Sequence, residues 1–282
     1  MVEALDRATE FRFTEDDFQW LRQAANQHSG IVLADAKRNM IYSRLTKRLR
    51  QLNLSSFAEY RQLLGRGDAS EFGEFINAIT TNLTSFFREQ HHFEHLADRT
   101  IPELVAQGRR ERRMKVWSAG CSTGEEPYSI AIVLEESLKK YPGWSYDILA
   151  TDLDTQVLRR AAAGIYTQER GSNLDEVRLK RWFLRGQGCH TGQIRVKPEL
   201  QRHIRFQQLN LVQAWKVDGP FDVLFCRNVI IYFDKETQRK LFDKFADSLS
   251  PGATLHIGHS ETLHQVSGRF QLAGKTTYRK SG

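Results

Sequence analysis

A glycine-containing turn between residues 117 and 132 carries the side chains with the clearest chemistry. Its sequence, WSAGCSTGEEPYSIAI, is typical of a strand that passes through a tight turn into a helix. Turns of this kind usually bind phosphate on the free N–H groups at the start of the helix. Here Glu125 and Glu126 stand at that position, and their carboxylates would repel a phosphate. The turn therefore predicts a ligand with positive charge and no phosphate.

The spacing of the glycines supports this interpretation. Gly120 and Gly124 give G-x-x-x-G rather than the G-x-G-x-x-G of dinucleotide-binding folds, and no P-loop lysine follows. A simpler explanation is that the glutamates only offset the helix macrodipole, and we expect this of one of them. Glu126 directly precedes Pro127, which suits a helix start. We assign the ligand contact to Glu126, with Glu125 as the open alternative.

Other polar side chains follow apolar segments where parallel strands would end. YDILATD ends in Asp152, HIRFQQLNL ends near Asn210, and FDVLFCRN ends in Asn228. In a doubly wound sheet the ligand lies beyond these carboxyl ends. Asp152 comes about thirty residues after the turn, one βαβ unit, where a carboxylate can accept both hydroxyls of a ribose. Asp154 is the expected cap of the next helix, and S-adenosylmethionine meets the combined requirements.

The N-terminal third of the chain has the periodicity of helices. We predict four helical segments: one that follows the capping-box pair Thr14 and Asp17, one over residues 35–52 with the stripe Ile41, Leu45, Leu49 and Leu52, one from Ser56 to Gly65, and one that carries Phe72, Phe75, Ile76 and Ile79. No β-type alternation interrupts them. We therefore expect a helical domain over residues 1–90.

From about residue 115 short apolar runs alternate with helix-period segments. This order predicts an α/β fold with a doubly wound, mostly parallel sheet within a second domain over residues 91–282. The glycine-rich segment 170–208 predicts a small β-subdomain insertion, and FQLAGKTTYRK near the end predicts a hairpin. The stretch TTNLTSFFREQHHF has no clean period and is interpreted as a linker or ordered loop.

Composition limits the class of protein. With 282 residues, 40% of them hydrophobic, the chain can form one large or two modest packed domains. It contains no run of about 18 apolar residues, and its start lacks the apolar region of a signal peptide. Three widely spaced cysteines match no zinc pattern and favour a reducing, cytoplasmic setting. The net charge of +7 is compatible with nucleic acid, an acidic protein or an anionic surface.

Several motifs resemble the CheR family of chemotaxis receptor methyltransferases. They are TTNLTSFFRE (80–89), VWSAGCSTGEEPYSIAI (116–132), ATDLD (150–154), GIYT (164–167), RGQGCHTGQIRVKPEL (185–200), FDVLFCRNVIIYF (221–233) and GHSE (258–261). The likeness covers nearly the whole chain. It implies a helical domain followed by a class I, Rossmann-like methyltransferase domain, which transfers methyl from S-adenosylmethionine to glutamates on cytoplasmic receptor helices and leaves S-adenosylhomocysteine.

The resemblance also implies which residues surround the cofactor. They are Asn82, Thr84, Arg88, Glu126, Asp152, Asn210, Leu211, Asn228 and Val229. A glutamate acceptor is already ionised at neutral pH, so no general base is required. We expect Arg88 to position a carboxylate, and Tyr232 either to orient the acceptor or to be a core tyrosine. His91, His92 and His95 are interpreted as helix-surface residues, and no metal site is expected.

A basic helix face and the β-rich insertion are the candidate contacts with a receptor. Lys37, Arg44, Lys47, Arg48 and Arg50 are placed opposite the apolar stripe of the second helix. Such a face is either simply solvated or a docking surface for an acidic receptor helix, and the resemblance favours docking. In the family the insertion can bind a C-terminal receptor peptide by adding a strand to a sheet edge.

Two other functions remain open from the sequence. A nucleic-acid methyltransferase would suit the basic charge, but the proline-containing motif of many base methyltransferases is replaced here by Cys226-Arg-Asn-Val-Ile-Ile-Tyr-Phe233. An adaptor that binds a receptor without turnover is the non-enzymatic alternative. We expect a monomer that neither inserts into membranes nor binds nucleic acid.

Overall fold

The computed structural model describes residues 10–80, 82–108 and 110–281. They form two compact units. One comprises residues 10–80 with the short segment Tyr232–Asp234, and the other comprises the remaining described residues from Asn82 onward. The segment 82–90, which the sequence analysis assigns to the N-terminal domain, therefore belongs to the second unit.

The first unit is helical, as expected. Its helices are α1 (Glu15–Ser29), α2 (Arg38–Gln51), α3 (Phe57–Gly65) and α4 (Ala69–Ile79). The capping box is confirmed, because the N–H of Asp17 donates to the Thr14 hydroxyl at 3.1 Å and the Asp17 carboxylate accepts from the Thr14 N–H at 3.0 Å. Gly30 ends α1 in the left-handed conformation. The helix predicted over 35–52 begins as a 3-10 turn, Asp35–Lys37.

Ile41, Leu45 and Leu49 of the predicted apolar stripe are buried, whereas Leu52 lies at the C-cap of α2 and is only partly buried. The basic residues of α2 do not all project from the opposite face. The Arg44 guanidinium donates to the carbonyl of Ala78 at 3.2 Å and to that of Thr80, and so binds the C-terminal end of α4. Arg48 pairs with the buried carboxylate of Glu71, with Nε and Oε1 3.0 Å apart. The predicted placement is wrong for these two residues, because their guanidinium groups bind carbonyls at the C-terminal end of α4 and the buried Glu71 carboxylate.

The other three basic residues of this face have different surroundings. Lys37 precedes α2, and its ammonium lies 4.5 Å from the centre of the Tyr232 ring within the same unit. Lys47 is exposed on α2. Arg50 is exposed as well, but it pairs with the Glu10 carboxylate. Of the five basic residues of this face, Lys47 is thus the one whose charge can be reversed with little expected effect on the helical unit.

The second unit is an α/β fold. Its helices are α5 (His91–His95), α6 (Ile101–Ala106), α7 (Glu125–Leu138), α8 (Thr155–Ala163), α9 (Glu176–Trp182), α10 (Pro198–Gln201) and α11 (Lys235–Ser248). Its strands are β1 (Arg113–Ala119), β2 (Ser145–Asp152), β3 (Ile165–Thr167), β4 (Phe183–Arg185), β5 (Gln193–Val196), β6 (Ile204–Gln208), β7 (Phe221–Cys226), β8 (Leu249–Ile257), β9 (Phe270–Gly274) and β10 (Thr277–Lys280). In the described part of the chain no helix is long and apolar enough to span a bilayer.

The central sheet confirms the predicted parallel architecture. Its strand order is β6-β2-β1-β7-β8-β10-β9. Neighbouring strands from β6 to β8 are parallel, while β9 and β10 form the predicted antiparallel hairpin at one edge. β7 is buried along its whole length, as is usual for a central parallel strand. The buried Trp117 in β1 donates from its indole to the Thr151 hydroxyl at 2.9 Å.

The small inserted sheet has different limits from those expected. It is antiparallel with the order β3-β5-β4, so it already begins with Ile165 in β3. The predicted range 170–208 also extends too far, because β6 pairs with β2 in the central sheet. The run HIRFQQLNL supplies this edge strand of the central sheet.

Replacement of Arg48 by Met tests the buried pair of the helical unit. Arg48→Met should destabilise α2 and α4 by about 3 kcal/mol, because the Glu71 carboxylate stays buried without its partner. Hydrogen exchange of the full chain should show about hundredfold faster exchange for amides of these helices. Lys47→Met, on the same helix but exposed, should leave exchange unchanged. Equal protection from hydrogen exchange in Arg48→Met and the unsubstituted protein would show that the pair contributes nothing to the stability of these helices.

Candidate active site

The carboxyl ends of four neighbouring strands bring the predicted ligand-binding residues together. In the order β6-β2-β1-β7 these strands lead to Asn210, Asp152, Gly120 and Asn228. β1 pairs with β2 up to Ala119 and Thr151, so the glycine turn lies beside Asp152 as expected. Adjacent strand ends of this kind form the ligand crevice of doubly wound sheets.

The turn between β1 and α7 depends on its glycines. The N–H groups of Gly120 and Cys121 donate to the carbonyl of Thr151 at 2.7 and 2.9 Å. Gly120 has φ +84°, and a side chain there would collide with Val229 from the loop after β7. Gly124 has φ +95°, and a Cβ atom would lie 2.8 Å from that of Ala161. Both positions therefore require glycine for conformation and for space.

Asp152 shapes the turn as well as facing the crevice. Its Oδ2 accepts from the N–H of Ser122 at 2.8 Å and its Oδ1 from that of Asp154 at 3.0 Å. Asp154 caps α8 as predicted, accepting from Gln156 and Val157. The carboxylate of Asp152 is thus not left entirely free, but each oxygen keeps lone-pair capacity for a ribose hydroxyl. Burial raises the pKa of Asp152 to about 6, against the effect of these N–H groups.

The two glutamates of the turn have separate surroundings. Glu125 has a fully buried side chain, which accepts from the Thr123 hydroxyl at 2.6 Å and forms an ion pair with Arg170. The side chain of Glu126 is 10% exposed, and its Oε1 accepts from the Ser118 hydroxyl at 2.7 Å. Glu126 is therefore the more accessible of the two carboxylates, which favours it over Glu125 as the group that binds the cation of a ligand.

Arg227 is a buried cation whose role the sequence analysis missed. Its side chain is only 3% exposed, with Nη1 3.0 Å from Oε2 of Glu126 and Nη2 3.2 Å from Oε2 of Glu89. Nη2 also donates to the carbonyl of Arg88, and the guanidinium lies 5.7 Å from the centre of the Phe93 ring. One arginine therefore joins the glycine turn to the segment 88–89. A charged residue directly after the apolar run FDVLFC was the available signal.

The charge of Arg227 opposes the effect of burial on the pKa values of Glu126 and Glu89. Burial raises the pKa of Glu126, while the Arg227 guanidinium and the Ser118 hydroxyl act to lower it. For Glu89, the hydrogen bond from His259 and the charge of Arg227 outweigh burial and lower the pKa to about 2. The network therefore holds Glu89 as a carboxylate at the edge of the site.

Two hydrogen bonds connect the linker to residues that follow β2 and β7. The Asn82 amide donates to Oδ2 of Asp154 at 2.9 Å, which places Asn82 beside the end of β2. Thr84 is half-buried. The Arg88 guanidinium is half-buried and donates to the carbonyl of Leu83 at 2.6 Å. Arg227 supplies the physical reason for this placement, because it binds the backbone of Arg88.

The other predicted contacts lie in loops after β6 and β7. The side-chain oxygen of Asn210 accepts from the N–H of Val212 at 3.1 Å, and Leu211 is buried. Asn228 has φ +58°, a conformation that few residues other than glycine adopt, and Val229 packs against Gly120. The predicted residues that follow β1, β2, β6 and β7 thus share one edge of the sheet, and their contacts with a ligand stay predictions.

Tyr232 belongs to the helical unit. Its carbonyl accepts from the N–H of Val32 at 2.8 Å, and its ring lies beneath Lys37. Its role in catalysis stays a prediction.

The histidines after the linker correct another expectation. His92 is fully buried rather than a helix-surface residue, its Nε2 lies 2.9 Å from the Thr276 hydroxyl, and burial lowers its pKa to about 3. Glu89, His91 and His92 each offer a ligand atom within 4.8 Å of the others, the spacing of a metal group. The Glu89 carboxylate is already paired with Arg227, so we assign no metal to them.

The site suits a cationic nucleoside. The turn offers an acidic helix start in place of a phosphate cradle, and Asp152 occupies the position that binds ribose in doubly wound folds. The buried hydroxyl of Ser122 has no partner among the described residues and is left to bind a ligand. With the parallel sheet and its antiparallel final hairpin, these features define an S-adenosylmethionine-dependent methyltransferase.

Comparison with known families narrows this class. Residues 82–279 match the family description "CheR methyltransferase, SAM binding domain", and residues 16–80 match "CheR methyltransferase, all-alpha domain". The chain belongs to the CheR methyltransferase family, as the sequence motifs indicate.

Its relatives include three proteins that match over most of their length. The chemotaxis protein methyltransferase of Escherichia coli (strain K12) is 47% identical over 266 residues, 94% of this chain and 90% of that protein. The protein of the same name from Klebsiella aerogenes is 48% identical, covering 93% of this chain and 88% of that protein. Chemotaxis protein methyltransferase 2 of Pseudomonas aeruginosa is 45% identical, with 95% and 94% covered.

The raised pKa of Asp152 predicts a pH-dependent affinity for the cofactor. Only the carboxylate accepts two ribose hydroxyls, so affinity should fall as pH decreases through about 6, by up to about tenfold per pH unit. Calorimetric titration of the full chain with S-adenosylhomocysteine from about pH 8 to about pH 5 measures this. Asp152→Asn should bind more weakly at high pH and lose the slope. A constant affinity in the unsubstituted protein would contradict the assignment.

Proposed function

We propose that this protein transfers the methyl group of S-adenosylmethionine to glutamate side chains on cytoplasmic helices of chemoreceptors, forming γ-glutamyl methyl esters. The observation that carries this proposal is the 45–48% identity with chemotaxis protein methyltransferases over 88–94% of their length. The reaction would serve sensory adaptation in chemotaxis.

The chemistry of the acceptor explains why the site needs positioning more than proton transfer. A glutamate with an ordinary pKa near 4.3 is a carboxylate at neutral pH and can attack directly. The cofactor supplies an electrophilic methyl group on a sulfonium. Attack forms the carboxylate O–CH₃ bond and breaks the S–CH₃ bond, whose electron pair stays on sulfur. The protein's task is to align the acceptor and exclude water.

Arg88 and Tyr232 are the proposed residues for that alignment. The Arg88 guanidinium is held by the Leu83 carbonyl, and the Arg88 carbonyl is bound by Arg227. An arginine held both at its guanidinium and at its backbone can orient a carboxylate. A tight ion pair with the acceptor would weaken the nucleophile, so positioning is the role that we propose. Tyr232 would orient the acceptor through its hydroxyl.

The proposed cofactor contacts divide by the part of the ligand that they suit. Asp152 would accept the ribose hydroxyls, and Glu126 would bind the ammonium group of the methionine moiety. The remaining contacts would come from Asn82, Thr84, Arg88, Asn210, Leu211, Asn228 and Val229. Support comes from the position of the turn and loop residues of this set after the ends of β2, β1, β6 and β7, and from the hydrogen bond of Asn82 to Asp154.

The small sheet offers a possible second contact with the receptor. Within the described residues, β3 and β4 each pair only with β5, so each leaves one edge open. Ile165 on β3 and Leu184 on β4 are 46% and 49% exposed, apolar side chains at those edges. An extended C-terminal receptor peptide could add a strand to such an edge. We propose this as an auxiliary contact of a monomeric enzyme.

The lability of the transferred methyl group tests the proposed reaction. The full chain is incubated with methyl-labelled cofactor and with either receptor cytoplasmic fragments or nucleic acid, and the products are treated with mild alkali. Methyl esters should appear on the receptor fragment and release labelled methanol, whereas N-methylated bases keep their label. A receptor fragment whose acceptor glutamates are replaced by alanine is the control.

Each other result supports a different function. Alkali-stable label on nucleic acid would favour a base methyltransferase. Binding of S-adenosylhomocysteine without label on any acceptor would favour a receptor-binding adaptor. Either result would contradict the proposed glutamate methylation.

Charge reversal at Lys47 tests docking through the helical unit. Lys47→Glu should raise the KM for the receptor fragment roughly two- to fivefold at low salt, because an exposed cation at an interface mainly affects association. The difference should shrink as salt increases. Lys140→Glu makes the same charge change at an exposed position of the other unit and should leave this KM unchanged. Equal KM values for both variants would contradict docking through Lys47.

A further inference from the structure

The loop after β7 has an uncommon backbone conformation and a close contact with the glycine turn. Asn228 adopts φ +58°, which is uncommon for a residue with a side chain, although asparagine adopts it more readily than most. The next residue, Val229, packs so closely on Gly120 that no side chain fits at the glycine. Any shift of this loop would therefore move the wall of the crevice beside the glycine turn.

Glu261, in the segment after β8, supplies that support. Its Oε2 accepts from the N–H groups of Asn228 at 3.0 Å and Gly258 at 2.6 Å. Its Oε1 accepts from those of Ile230 at 3.0 Å and Ile231 at 3.3 Å. The residue is only 6% exposed, so its four bonds are formed away from bulk water. A single carboxylate thus joins the loop after β7 to the loop after β8.

The chemistry of a carboxylate matches these four donors. An ionised carboxylate has two oxygens that only accept hydrogen bonds, whereas the amide of glutamine presents donors on one side. Bonds to a charged acceptor are about twice as strong as neutral ones. Glutamine at position 261 would therefore turn an N–H group toward the N–H groups of the loop.

Gly258 brings the two loops into close contact. A Cβ atom at this position would lie 2.5 Å from the side-chain nitrogen of Asn228 and 2.8 Å from its backbone nitrogen. Both distances are too short for non-bonded contact, so any larger residue would displace Asn228. Gly258 and Glu261 are the first and last residues of GHSE, whose purpose neither the fold nor the reaction has explained so far.

We infer that Glu261 is a positioning residue for cofactor binding, which fixes the loop that carries Asn228 and Val229. The inference rests on the proposed cofactor contacts of those two residues. Glu261 acts through the backbone of the loop and not by touching the ligand. The four N–H groups that converge on one carboxylate are the observation that carries the inference.

A direct measurement of cofactor binding tests this role. Glu261→Gln should weaken the affinity of the full chain for S-adenosylhomocysteine by about ten- to a hundredfold, as expected when a hydrogen bond to a buried charged group is lost. Gly258→Ala displaces the same loop from the other side and should give a loss of similar size. Calorimetry measures the dissociation constants, and hydrogen exchange of residues 228–231 reports the loop.

A matched control separates positioning from general stability. Glu71→Gln changes another buried carboxylate, in the helical unit, and should leave the dissociation constant within about twofold. Steady-state kinetics should show that Glu261→Gln raises the KM for the cofactor much more than it lowers kcat.

The possible outcomes are distinct. Faster exchange at 228–231 with an unchanged dissociation constant would overturn the positioning role. If Glu261→Gln does not fold, Gly258→Ala tests the same role. Unchanged affinity of that variant for S-adenosylhomocysteine would likewise overturn the positioning role. Failure of the unsubstituted protein to bind S-adenosylhomocysteine would contradict the cofactor assignment itself. Normal cofactor affinity without receptor methylation would contradict only the proposed acceptor.

Discussion

The buried ion pair between Arg227 and Glu126 is the interaction on which the rest of the site depends. Glu126 belongs to the glycine turn after β1, Arg227 follows β7, and the same guanidinium binds Glu89 and the carbonyl of Arg88. Burying any one of these charges alone would be costly. Their mutual compensation lets a chain segment with no regular period take a fixed place beside the strand ends.

This arrangement explains how an acidic turn can bind a ligand that contains a nucleoside but no phosphate. A phosphate would meet the carboxylate of Glu126 and the side chain of Asp152, both close to the helix start. A sulfonium nucleoside has no phosphate and carries positive charge, so these groups become favourable partners. Because Arg227 offsets much of the charge of Glu126, ligand binding should depend on geometry as well as on net charge.

Much of the fold followed from local pattern. The capping box at Thr14, the buried stripe of α2, the parallel strands and the final hairpin are all consequences of sequence periodicity and turn chemistry. Contacts between residues far apart in the sequence could not be predicted from local pattern. The limits of the inserted sheet were wrong because they depend on which strand β6 joins, and the outward placement of Arg44 and Arg48 failed because their acceptors lie on α4.

The sequence by itself determined which residues stand at the ends of the strands, because the period of a strand and the position of a turn are local properties. It also predicted a turn unsuited to phosphate, from Glu125 and Glu126 at the helix start. Only the tertiary structure decided how those residues are held. Arg227 binds Glu126, 101 residues away along the chain, and Glu261 binds the N–H of Asn228, 33 residues away. Burial makes such distant pairs obligatory, and no local pattern specifies them.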